Sequence, residues 1–155
     1  MKTINYRNGV VEFRVPASWK EEYSDTNGGV FYEDRPDSGT LRIKLITVTT
    51  PTDVHSGTAV DLLKGLRQTQ GRAEAMVNGN ALATAEGSSI EHGQKIKTFY
   101  WFLANPVPLK HARLATFSYT ILEAREGSSQ VWRELQMLNE EIRAAEFSKE
   151  IGSLA

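Results

Sequence analysis

Two segments of this chain carry apolar residues on both faces of a strand, and no other feature restricts the fold as much. In residues 95–104, Phe99, Trp101 and Leu103 alternate with Ile96, Tyr100 and Phe102. In residues 112–122, Ala115, Phe117, Tyr119 and Ile121 oppose Leu114 and Leu122, with Thr116, Ser118 and Thr120 between. Successive side chains of a strand point to opposite faces. Both segments therefore need cover on both sides and are expected to be central strands. With 155 residues and no cysteine, the chain is long enough to bury such a centre without cross-links. One α+β domain over residues 1–150 is expected, with residues 151–155 as a tail.

The remaining pattern supplies the covering layers. Ile4 and Tyr6 precede Asn8-Gly9, and Val10, Val11, Phe13 and Val15 follow. Asn-Gly suits the positive φ angles of a type I′ turn, so a hairpin is predicted. Pro16 ends it, and Trp19 plugs the end of the core. A second hairpin turns at Asp25-Thr26-Asn27-Gly28-Gly29. The next strand, 40–49, points Leu41, Ile43, Leu45 and Thr47 one way and Arg42, Lys44, Ile46 and Val48 the other. Ala59, Leu62, Leu63 and Leu66 make a helical stripe, with Thr58 and Asp61 as a capping pair and Gly71 as its stop. Residues 81–91, rich in small side chains, form a weaker strand ending at a His92-Gly93 turn. Asn105-Pro106-Val107-Pro108 reads as a rigid loop. A serine-capped final helix runs from Ser128-Ser129 to about Phe147, its stripe formed by Val131, Leu135, Leu138, Ile142 and Ala145. Arg133, Glu134, Glu140, Glu141 and Arg143 fall largely off that stripe.

Chemistry-bearing patterns are sparse. The net charge of −1 gives no long-range attraction to nucleic acid. No apolar run reaches the length of a membrane span or a secretory signal, so no membrane insertion and a cytoplasmic location are expected. No phosphate-binding glycine loop and no nucleophile elbow is present. His55, His92 and His111 lie in separate loops without metal-ligand spacing. Asp25-Thr26-Asn27-Gly28-Gly29 starts like a calcium loop, but Pro36 stands where the bidentate glutamate belongs. No metal and no cofactor is expected. Glu91-His92 with His111 is the one acid–imidazole neighbourhood, and a small hydrolase would use His92 or His111 with a carboxylate. Arg42 and Lys44 share a strand face that suits an acidic partner.

The stretch Tyr6-Arg7-Asn8-Gly9-Val10-Val11-Glu12-Phe13-Arg14-Val15-Pro16-Ala17-Ser18-Trp19, with its Phe13–Pro16–Trp19 corner, resembles the Mog/PsbP-like family. Gly39-Thr40-Leu41-Arg42-Ile43 is similar to that family's glycine-to-strand entry, and the order of elements agrees. The resemblance implies an antiparallel β-sheet with two main helices packed on it. It also implies binding roles without a shared catalytic centre. Members include a Ran-GTPase-binding import factor, an extrinsic photosystem II subunit, envelope lipoproteins and chaperones of secreted effectors.

These readings converge on a non-enzymatic cytosolic binding protein, an adaptor or chaperone. A helix-grip carrier of small molecules and a small hydrolase are the alternatives. If both helices cover one sheet face, the other is an open apolar surface. Phe99, Trp101, Leu103, Phe117 and Tyr119 are then the expected binding residues for a protein partner or a second copy.

Overall fold

A computed structural model describes residues 1–26 and 28–149; the expected tail, 151–155, lies outside the described residues. The strands are β1 (Lys2–Tyr6), β2 (Val11–Val15), β3 (Lys20–Ser24), β4 (Gly28–Tyr32), β5 (Thr40–Thr49), β6 (Glu74–Ala75), β7 (Ala81–Glu91), β8 (Gln94–Val107), β9 (His111–Leu122) and β10 (Glu146–Phe147). The helices are α1 (Thr58–Lys64) and α2 (Ser129–Arg143). Seven strands form one antiparallel sheet in the order β3-β4-β5-β9-β8-β7-β6, and β1-β2-β10 form a smaller second sheet. The two strands with apolar residues on both faces, β8 and β9, are central, as their need for double cover requires.

The helices cover opposite faces. Ala59 and Leu63 of α1 pack with Ala81, Ala83, Phe102, Ala104 and Leu114. On the other face, α2 and the small sheet meet Leu82, Trp101, Leu103, Phe117 and Tyr119. Phe13 of β2 sets its ring edge-on against Phe31 and Phe117, with centroids 5.5 and 5.1 Å away. Trp19 is buried at the corner, where its N–H donates to the Pro16 carbonyl. At Gly39 a β-carbon would overlap the Tyr119 ring, so only glycine permits this entry into β5.

Local expectations hold where one turn or cap decides them. Asn8 and Gly9 have φ of +57° and +87°, and the Val10 N–H reaches the Arg7 carbonyl, closing the type I′ turn. The Ser128 hydroxyl caps α2 by accepting from the Val131 N–H. Expectations fail where other contacts compete. The cap of α1 is Gly57, without a side-chain bond; the Thr58 hydroxyl accepts from the His55 N–H instead. The helix also stops at Lys64, ahead of Gly71, because the buried Thr69 hydroxyl bonds the carbonyls of Leu63 and Leu66. The final helix ends at Arg143, and Glu146–Phe147 leaves it to pair with β2. Residues 105–107 continue β8: Pro106 lies opposite Ala112, and the pairing with β7 ends where Ala104 meets Ala81, so the missing proline N–H faces no partner strand.

Candidate protein-binding groove

Polar contacts fix α2 on its sheet. The Tyr119 hydroxyl donates to the Glu134 carboxylate, which also takes the Arg35 guanidinium at 3.2 Å. Glu134 is thus directed inward, contrary to its place off the sequence stripe. Burial, and then this hydrogen bond, raises the Tyr119 hydroxyl above its ordinary pKa. The Trp101 indole N–H donates to Asn139 at 3.2 Å, and Arg14 binds Glu141 through two bonds of 2.9 and 2.8 Å. The helix therefore has a set position over β8 and β9.

That position corrects the expected open apolar face. Trp101, Leu103, Phe117 and Tyr119 are buried in the core by this chain's own α2 and small sheet. The condition behind the expectation, both helices on one face, is not met. Phe99 differs from the other four. It is half-buried at the side of α2 and, with Val131, Trp132, Leu135 and Gly127, lines a groove of about 490 Å³. Trp132 remains 62% exposed beside it. Lys97 stands over the Phe99 ring, 5.8 Å from its centroid, and lies 3.6 Å from both Glu86 and Glu126. The result is an apolar floor and wall with a charged rim of one lysine and two glutamates, the composition of a surface that buries apolar side chains.

Trp132 was not singled out in the sequence. Its signal is position: it follows Val131 by one residue, so it projects about 100° away from the buried stripe. A tryptophan there has no intrachain reason to be apolar. Val131 and Leu135 read as stripe residues, and they do pack inward while forming the groove's wall.

The other chemical neighbourhoods do not assemble. His92 lies at one end of β8 and β9, whereas His111 pairs with Val107 at the other. The fold therefore does not bring these two imidazoles into one cleft. His55 accepts a hydrogen bond from the Gly57 N–H within its own loop. No group of three metal-type side chains occurs among the described residues. Between α2 and the sheet, the space a helix-grip carrier would keep for a ligand is filled by Trp101, Leu103, Ile121, Leu138 and Ile142. A larger cleft of about 630 Å³ lies between the end of β8, residues 78–80 and β10. Its buried Arg113 bonds the Ser148 carbonyl and stands over the Phe147 ring, which fastens the segment after α2. Burial lowers the pKa of this guanidinium. No described helix is long and apolar enough to cross a membrane.

Comparison with solved structures identifies the fold. An LpqN protein of Mycobacterium tuberculosis, described as involved in cell envelope biogenesis, superposes with a TM-score of 0.61 at 15% identity, over 89% of this chain and 83% of that one. A Bacteroides thetaiotaomicron protein superposes at 0.63 and 18% identity; the match takes in 96% of this chain but 49% of that protein. The cyanobacterial PsbP of Synechocystis is also similar, at 18% identity over 90% of this chain and 87% of that one, with a TM-score of 0.39. No protein-family profile matches the sequence, and no curated protein is similar to it. The architecture is the Mog/PsbP-like fold that the sequence resemblance implied.

Proposed function

We propose that this chain is a non-enzymatic binding protein whose groove beside α2 takes an apolar segment of a protein partner. One observation carries the reading: Trp132, 62% exposed, stands beside the half-buried Phe99 and Leu135 at the edge of a groove. Single exposed apolar residues are ordinary, but grouped ones mark interaction sites. Tryptophan is enriched among the residues that dominate binding energy. Burying one large side chain contributes about 1.5–3 kcal/mol before association costs. A cytoplasmic location belongs to this reading, supported by the absence of cysteine from the sequence. Recovery of the protein with the cell envelope on fractionation would replace it.

A photoreactive residue at position 132, introduced in the native host, tests the groove. The expected result is one cross-linked protein that is not cross-linked from position 23, another exposed aromatic site, on β3. Titration of that protein should then show a Kd about tenfold or more weaker for Trp132→Ser, with thermal stability unchanged. The proposal fails if cross-linking does not depend on position or if Trp132→Ser binds as the parent does.

A further inference from the structure

The two edges of the seven-stranded sheet are unlike. The β3 edge is five residues long and carries Lys20, Glu21 and Glu22, charges that discourage pairing. At the other edge β6 pairs only with Ala81 and Leu82. Residues 83–91 of β7 therefore have no strand on their outer side among the described residues. This run contains no proline and no lysine, and it pairs with β8 position by position without a bulge. Apart from Glu86 and the terminal Glu91, it lacks the charges, prolines and bulges by which exposed edges are normally blunted.

The direction of its backbone groups follows from the turn. His92 and Gly93 have φ of +51° and +78° and join Glu91 directly to Gln94. The pair flanking a two-residue hairpin is hydrogen-bonded, and bonding alternates from there. Thr84, Glu86, Ser88 and Ile90 consequently direct their N–H and C=O groups away from β8, toward the open side. An extended polypeptide satisfies such a row.

We propose that a second copy of this chain occupies it, joining the two β7 strands antiparallel about a two-fold axis at Gly87. Gly87 is the midpoint of the free run, so this register uses its whole length. Thr84 then lies opposite the second copy's Ile90, and Glu86 opposite its Ser88, with no like charges directly across. The four outward-directed residues of each copy fall in hydrogen-bonded pairs. Ala83 meets the second copy's Glu91, so the partner strand ends where β6 begins. An axis at Glu86 would set that carboxylate against its equivalent, and one at Ser88 would set it against Ile90. The register also covers Ile90, which is 70% exposed in the single chain. The interface uses the β7 edge and adjoins the groove at Glu86, which shares Lys97 with the groove's rim.

Sedimentation velocity of the full chain over about 1–300 µM tests this directly. The parent should dimerise. Ser88→Pro removes an outward N–H, a change that edge strands tolerate, and should weaken dimerisation about tenfold or more. Ser88→Glu, which sets a carboxylate opposite the second copy's Glu86, should weaken it similarly. Ser88→Lys should tighten it. Ser88 is exposed, so the two charge variants still decide if the proline variant unfolds. A parent that stays monomeric throughout overturns the proposal. So does a dimer whose Kd is the same in all the variants that fold.

Discussion

Truncating Trp101 to alanine separates a core tryptophan from a binding one. The side chain is 5% exposed on the face that meets α2, and its strand position lies between Thr84 and Phe117. Replacing a buried tryptophan with alanine costs about 3–5 kcal/mol, through lost transfer energy and the cavity left behind. The lost hydrogen bond adds little, because Asn139 also accepts from the Arg143 Nε at 3.3 Å and is not left without a donor. For a domain of this size each kcal/mol shifts Tm by about 2–4 °C, so Tm should fall by about 6–20 °C. Urea and thermal unfolding followed by far-UV circular dichroism measure the loss, with Trp132→Ser as the comparison. The comparison variant should stay within about 0.5 kcal/mol of the parent, as surface substitutions do. A Trp101→Ala variant that is equally indifferent would refute the burial argument and restore Trp101 as a surface residue.

Two further outcomes follow from local geometry. Gly9→Val should cost about 1–2 kcal/mol in urea unfolding, because Gly9 has a φ of +87° and a β-branched residue is strained there, although a β-carbon would meet no neighbour. An unchanged midpoint would remove the type I′ turn from the account. The raised Tyr119 pKa predicts alkaline destabilisation. The folded chain keeps a proton that the unfolded chain releases near pH 10, so the unfolded state binds fewer protons and stability falls as pH rises past that value. Tyr119→Phe should flatten that fall relative to the parent, and an unaltered slope in pH-dependent unfolding would contradict the buried hydroxyl.

How much the sequence determines depends on the range of the forces involved. Doubly apolar strands are excluded from sheet edges, so the central place of β8 and β9 is already contained in their alternation. Asn8-Gly9 and Ser128 act through backbone geometry within a few residues, and their turn and cap are legible for that reason. Element ends are less so. Apolar periodicity continues past Lys64 and Arg143, and it is Thr69 bonding the Leu63 and Leu66 carbonyls and β2 pairing with Glu146–Phe147 that accompany the helix ends. The candidate site follows the same division. Alternation shows that Phe99, Trp101 and Leu103 share a face, but not which layer covers it. That depends on α1 and α2 lying on opposite sides of the sheet, a long-range choice made by complementary packing. Once α2 is placed by Glu134, Asn139 and Glu141, four of the five expected binding residues become core. Phe99 alone stays at the margin, where it meets a tryptophan that the helical period had already turned outward.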